Sequence, residues 1–187
     1  MPLKSTAAGD VVAAARQSAL FRNHQTAGDG AHDLSHLGAP VFVRALRPAG
    51  MDVSDAPDFY VIPVLDTTGA TTDAAELELN PQHTAIHVIA IVSYNTPRPS
   101  GAIAQMRAED AIALAARANV APLRAAPPAL VYFPADATAQ QTGQIVWRAG
   151  GEFPADPLWL VTGGDGRSRV IGEDGAIYTL DQLPMQR

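Results

Sequence analysis

Between residues 10 and 21 the apolar side chains Val11, Val12, Ala15, Ala19 and Leu20 recur at three- and four-residue steps, with Arg16 and Gln17 between them. That period places them on one face of an amphipathic helix. Asp10 stands at its start, where a carboxylate suits the positive helix end. Residues 23–38 follow with three His, three Gly and no apolar period, and read as a long loop. Residues 41–46 are β-branched and aromatic between Pro40 and Pro48, which predicts a strand with fixed ends. A second loop runs to Pro57. Residues 59–65, Phe-Tyr-Val-Ile-Pro-Val-Leu, form a nearly continuous apolar run expected to be a strand buried on both faces. Pro63 has no N–H for a ladder, so this strand is expected at a sheet edge or with a bulge there. Residues 75–79 and 84–94 predict two further strands around the turn Asn80-Pro81-Gln82.

Residues 95–101, Asn-Thr-Pro-Arg-Pro-Ser-Gly, combine two prolines with small polar side chains and are the natural seam. After the seam, residues 109–119 have helical period, with Ala111, Ile112, Ala115 and Ala118 on one face and Glu109 and Asp110 in the first turn. Pro122 is expected to stop that helix. Strand-like segments then fall at 129–133, 144–148, 158–162, 169–172 and 176–180. Glu173-Asp174-Gly175 predicts a hairpin turn, because Gly accepts the positive φ such turns need.

The two halves match each other. At an offset of 100, the helix beginning at Asp110 lies over the helix beginning at Asp10; at an offset of 99, Leu158-Trp159-Leu160-Val161 lies over Phe59-Tyr60-Val61-Ile62, and Asp165 over Asp66. The order helix, strand, aromatic strand, hairpin is the same in both. One helix over a few antiparallel strands leaves a face or edge uncovered, which a second copy can cover. The expected fold is therefore α+β, with two repeated helix-plus-antiparallel-strand units about a pseudo-twofold axis. Its parts are a flexible N-terminus at 1–9, a first repeat at 10–95 with a loop insert at 23–38, a linker at 96–106, and a second repeat at 107–187.

Composition narrows the function classes. The formal net charge is -6, with 13 basic against 19 acidic residues, and the basic residues are scattered Arg with Lys4 as the one Lys. No basic stripe gathers, so a nucleic-acid partner is not expected, since phosphate binding needs a concentrated positive face. The Arg and Ala bias fits a GC-rich bacterial genome. Cysteine is absent, which removes disulfides, thiolate catalysis and Cys-ligated zinc. No run of about 18 apolar residues predicts a spanning helix, so a soluble chain is expected. Residues 1–10 lack the basic-then-apolar order of a signal peptide, and leave open whether an export signal or anchor preceded them.

Four stretches of the second half carry a family resemblance: Arg107-Ala-Glu-Asp-Ala-Ile-Ala-Leu-Ala, Leu130-Val-Tyr-Phe-Pro, Pro157-Leu-Trp-Leu-Val and Gly172-Glu-Asp-Gly-Ala-Ile-Tyr-Thr-Leu. With its acidic-Ala-hydrophobic helix, its hydrophobic-Trp-hydrophobic-Val strand and its closing Asp-Gly hairpin, this half resembles a PepSY-type domain over about 75 residues. The first half joins the resemblance only through the repeat. The resemblance implies a helix packed across a small antiparallel sheet, an extracytoplasmic setting, and a role in binding peptides or restraining peptidases and partner domains. The insert at 23–38 is a departure from it.

Candidate chemistry is sparse. His24, His32 and His36 lie with Asp29 and Asp33 within thirteen residues. His32 and His36 are four apart, so on a helical turn they share a face and could hold Zn or Ni, with Asp33 or His24 completing the set. A solvated polar loop accounts for the same residues, and no Glu stands between the two His as a hydrolytic motif requires. His83 and His87 sit on a predicted strand, where a spacing of four is about 13 Å, too far for one metal. No Gly-x-Ser-x-Gly elbow accompanies the Ser, His and Asp residues. Gly163-Gly164-Asp165-Gly166 follows a strand but precedes another, so it reads as a turn and not as a phosphate loop. Tyr60 and Trp159 occupy matching repeat positions, either as paired core aromatics or as partner-binding residues.

No motif here calls for a cofactor, and the expected function is a non-catalytic peptide- or protein-binding module. The alternative is a small enzyme or a His-dependent metal-binding protein using the 24–36 cluster. If the insert at 23–38 carries the partner surface, shortening it is expected to lower binding and leave stability almost unchanged.

Overall fold

The computed structural model describes residues 8–26, 34–46, 56–79, 86–118, 127–134, 146–147, 151, 153–179 and 185–186. It is an α+β fold that divides into two compact units, Met1–Phe42 with Pro57–Ile103 and Val43–Ala56 with Ala104–Arg187. The division falls between Ile103 and Ala104, and residues 43–56 go with the second unit although they lie within the first predicted repeat.

The first unit contains α1 (Ala8–Gln17), α2 (Ala19–Thr26), the first two residues of β1 (Val41–Ala45), β2 (Phe59–Leu65), β3 (Thr71–Leu79) and β4 (Ile86–Arg98). Strands β2, β3 and β4 form an antiparallel meander in that order. Val11, Ala15, Phe21 and Leu34 pack with Ile62 and Val64 of β2 and Ala75 and Leu77 of β3 in one buried cluster. The other face of β2 is buried as well, at Phe59 and Val61, as its continuous apolar run predicts.

The predicted helix at 10–21 is two helices. The Ser18 N–H turns back to the Ala15 carbonyl at 3.1 Å, and the Ser18 carbonyl accepts from Arg22 N–H to start α2. Ser is a favoured residue at a helix N-terminus. The break has a packing reason. Phe21 lies six residues after the buried Ala15, which in an unbroken helix turns it about 120° off the core face, whereas here it is 1 % exposed. The loop expected at 23–38 is structured at both ends: α2 continues to Thr26, Leu34 is in the core, and Leu37 bridges Val64 of β2.

Pro63 stands inside the sheet, paired to Ala74 of β3. Its carbonyl accepts from Gly38 N–H at 2.8 Å, so the side of β2 that lacks a donor faces the 36–38 segment. A Cβ on Gly38 would come within 3.2 Å of the Pro63 ring, which explains glycine there. The bulge lies between Val64 and Leu65, next to Pro63. The seam expected at 95–101 begins later, because β4 runs through Pro97 to pair Arg98 with Thr71. Pro97 is tolerated because β4 is the end strand of the order. The Arg98 guanidinium rests 3.8 Å from the Tyr94 ring centre. The turn expected at 80–82 lies outside the described residues.

The second unit contains the rest of β1, α3 (Ala108–Arg117), β5 (Ala129–Tyr132), β6 (Val146–Trp147), β7 (Leu158–Thr162), β8 (Ser168–Ile171), β9 (Ile177–Thr179) and β10 (Met185–Gln186). Strand order is β1-β5-β7-β8-β9, and β6 pairs with β10 apart from it. All pairs are antiparallel except β1 with β5, which is parallel, with Val43 opposite Leu130 and Ala45 opposite Tyr132. Alternation sends Leu158 and Val170 to one face, with Leu46, Val131 and Phe133, and Trp159, Val161 and Ile171 to the other, under α3. Ala111 and Ala115 are fully buried on α3, and their small side chains let the helix lie close to the strands. Pro122 lies outside the described residues.

Three hairpins close with one bonding pattern. Asp66 N–H to Ala70 carbonyl with Gly69 N–H to Asp66 carbonyl recurs at Gly163, Gly166 and Arg167 and again at Gly172, Gly175 and Ala176. Gly69, Gly166 and Gly175 have φ of 85°, 76° and 76°, the left-handed geometry that glycine accepts most readily. By this pattern Asp66 corresponds to Gly163, whereas the sequence overlay puts it on Asp165.

Candidate binding site

Among the described residues, one surface in each unit is open to a partner: a cleft in the second and a strand edge in the first. In the second unit a cleft of about 230 Å³ opens where β7 begins and β8 ends. Leu158 and Ile171 line it as buried apolar residues, and Gln105 and Glu173 line it as exposed ones. Trp159 and Met106 complete the wall, and the Trp159 indole N–H donates to the Met106 carbonyl at 2.8 Å. Residues 103–106, leading into α3, are thereby tied to β7. The Gln105 amide donates to the Glu173 carboxylate at 3.4 Å across the mouth.

In the first unit the surface is the outer edge of β4. This strand is 13 residues long, and among the described residues it has a strand partner on one side only, β3. Ile86, Val88 and Ile91 pack inward against the first core, whereas Ile89 is 45 % exposed. Ile89 follows the inward Val88 and faces outward by alternation, and the register shift between Glu76 and Leu77 makes it an extra residue in β4, after which the inward face resumes at Ile91.

The aromatic pair divides between the units. Tyr60 is half-buried on β2, packed on the first core with its ring 5.3 Å from Phe42 at 52°. Trp159 is half-buried on β7, packed beside α3 and lining the cleft. Each is part of its own unit's packing, and Trp159 also faces a cavity.

The histidine cluster is described only in part. His24 belongs to α2, with its side chain outside the described residues, and Asp29, His32 and Asp33 lie outside them altogether. His36 has its ring Nδ1 2.9 Å from the Ser35 hydroxyl, and its carbonyl accepts from Leu65 N–H. Among the described residues no three His, Asp or Glu side chains gather at one point.

Two buried carboxylates were not legible in the sequence. Asp73 and Glu76 of β3 are 1 % and 5 % exposed. Alternation puts Asp73 on the face of Ala75 and Leu77 and Glu76 on the opposite face, so the two do not converge as an acid/base pair. An ion pair lies on the β7–β8 hairpin. There the Arg169 guanidinium, followed by the Arg167 N–H, donates to Asp165 and holds its carboxyl far below the usual range. Asp66 is lowered too, chiefly by the Thr68 hydroxyl. Both carboxylates secure turns.

No helix among the described residues is long and apolar enough to cross a membrane. No protein-family model, no curated protein and no solved structure matches this chain.

Proposed function

We propose that this protein is a non-catalytic module that binds extended peptides or protein segments by adding them as a strand beside β4. The observation that carries this reading is the chemistry of that edge. Exposed sheet edges invite pairing with other chains, and proteins blunt them with charge, proline or bulges. Residues 88–96 of β4 contain no charged side chain, its proline, Pro97, comes only after them, and between the register shifts at Ile89 and after Ser93 the run 90–93 pairs regularly with β3 and keeps an open edge. Main-chain pairing supplies affinity in such complexes, and alternate side chains supply selectivity. The exposed Ile89 and the polar Ser93, Asn95 and Thr96 would read the guest.

The resemblance to PepSY-type domains points the same way, since it implies peptide recognition and no catalysis. A duplicated origin of the two units belongs to this proposal as well. It is supported by α1 and α3, which start and end 100 residues apart, and by β2 and β7, which start 99 apart.

Peptides selected from a random display library provide the test. On binding, amide exchange of residues 86–98 should slow, and a selected peptide N-methylated at alternate residues should lose binding in one of its two methylation phases. Unchanged exchange in β4, or full binding of both methylated forms, would overturn strand addition.

A further inference from the structure

The cleft beside Trp159 has its own ligand chemistry. Ile171, Met106 and Trp159 pack together on one face of the sheet and make the cleft's apolar wall, while an exposed carboxylate, Glu173, stands at its mouth. The indole N–H of Trp159 is already engaged by the Met106 carbonyl, so this side chain offers a guest a π system and no donor. A volume of about 230 Å³ is below the roughly 300–1,000 Å³ of small-molecule and coenzyme sites, and suits one long side chain. The chain around it is acidic, at -6, which favours approach of a cationic guest.

We infer that the cleft receives the side chain of a basic residue, arginine before lysine, from a bound polypeptide. The methylene stem lies against Met106 and Ile171, as long cationic side chains lay their stems on apolar surface. The charged head meets the indole and the Glu173 carboxylate. A planar guanidinium both stacks on aromatic rings and pairs with carboxylates in two-point fashion, which an ammonium cannot do. Glu173 is fixed for this role by its place in the 172–176 hairpin, whose Gly175 closes on the Gly172 carbonyl, and by the Gln105 amide. An acidic guest would be repelled, and a short one would not span wall and mouth.

The inference rests on the reading of the chain as a polypeptide-binding module, though not on the β4 edge. The test titrates the full chain with acetyl-Gly-Arg-Gly-amide and with its norleucine counterpart, following the indole N–H resonances of Trp159 and Trp147. The Trp159 signal should shift saturably with the arginine peptide and respond more weakly to norleucine, and added salt should weaken only the former. Glu173→Gln should weaken the arginine peptide about two- to fivefold, the range of an exposed ion pair, without moving the thermal midpoint or the norleucine response. Equal binding of both peptides, an unchanged affinity in Glu173→Gln, or a Trp159 signal that neither peptide moves would overturn the assignment. Exchange of the β4 amides reports separately on strand addition, so either proposal can fail while the other stands.

Discussion

Gly151 sits at φ 80°, and a Cβ there would lie 2.7 Å from Leu158 Cγ and 2.9 Å from its Cδ1. Leu158 cannot yield easily, since it is 3 % exposed and packed with Leu46, Val131, Phe133 and Val170. Gly151 cannot move away either, because its carbonyl accepts from Phe133 N–H at 2.7 Å. Gly166 has nearly the same backbone angle, 76°, with open space where a Cβ would go. The pair therefore separates two costs. Gly166→Ala should lose only the left-handed backbone penalty, about 1–2 kcal/mol. Gly151→Ala adds overpacking of a buried leucine, typically ~1–3 kcal/mol, and should lose about 2–5 kcal/mol in total. Urea unfolding of both variants checks this, and equal losses would mean that Leu158 has room to move.

At the scale of elements, the segments read best from the sequence were those whose pattern one local rule decides. β2 and β7 have the predicted bounds because uninterrupted apolar runs between turn residues leave little choice. The Gly-closed turns at 163–166 and 172–175 depend on a backbone angle that few other residues accept, whereas the third turn of this kind, at 66–70, was not read from the sequence. Where tertiary packing decided, the sequence misled. The 3.6-residue period spans Ser18 without a sign of the break, which exists because Phe21 must reach the core. The polar start of β3, Thr71 to Asp73, reads as loop, yet Thr71 is fully buried, its hydroxyl donating to the Pro99 carbonyl at 3.3 Å. The candidate cleft was half visible: Trp159 stood out by its place in the repeat, but Glu173, Gln105 and Met106 line the cleft with it only through the fold. The insert at 23–38 shows the consequence for design. Leu34 is 1 % exposed within the first core and Leu37 bridges β2, so this segment is in part structural. Leu34→Ala should cost about 2–5 kcal/mol, and shortening 23–38 to a four-residue turn should lower the thermal midpoint by several degrees at least. A calorimetric scan of each variant decides, and unchanged midpoints would return the segment to the status of a surface loop.

For the molecule as a whole, the boundary between units does not follow the chain. Two similar halves joined at a proline-rich seam suggest that each half could stand alone, but residues 43–56 are part of the second unit. In that unit β1 pairs in parallel with β5 through Val43, Arg44 and Ala45, and the Leu46 N–H donates to the Tyr132 carbonyl at 2.8 Å. Leu46 is also one of five buried members of its core. A fragment comprising residues 104–187 would keep α3 and the β5-β7-β8-β9 strands, yet β5 would become an open edge and the core would have a hole the size of a leucine. Losing Leu46 alone removes about 2–5 kcal/mol from a domain whose total stability is on the order of 5–15 kcal/mol, and the lost parallel pairing adds to that. The exposed β5, Ala-Leu-Val-Tyr, is short, apolar and uncharged, the kind of edge that recruits other chains. The fragment 104–187 is therefore expected to lack a cooperative unfolding transition and to associate at raised concentration, whereas the same fragment with residues 41–56 fused ahead of it through a flexible linker should regain a transition. Circular dichroism melts and sedimentation of the two fragments provide the comparison. A sharp melt of 104–187 by itself would show that the second unit closes its core without β1, and that the chain is divisible at the seam after all.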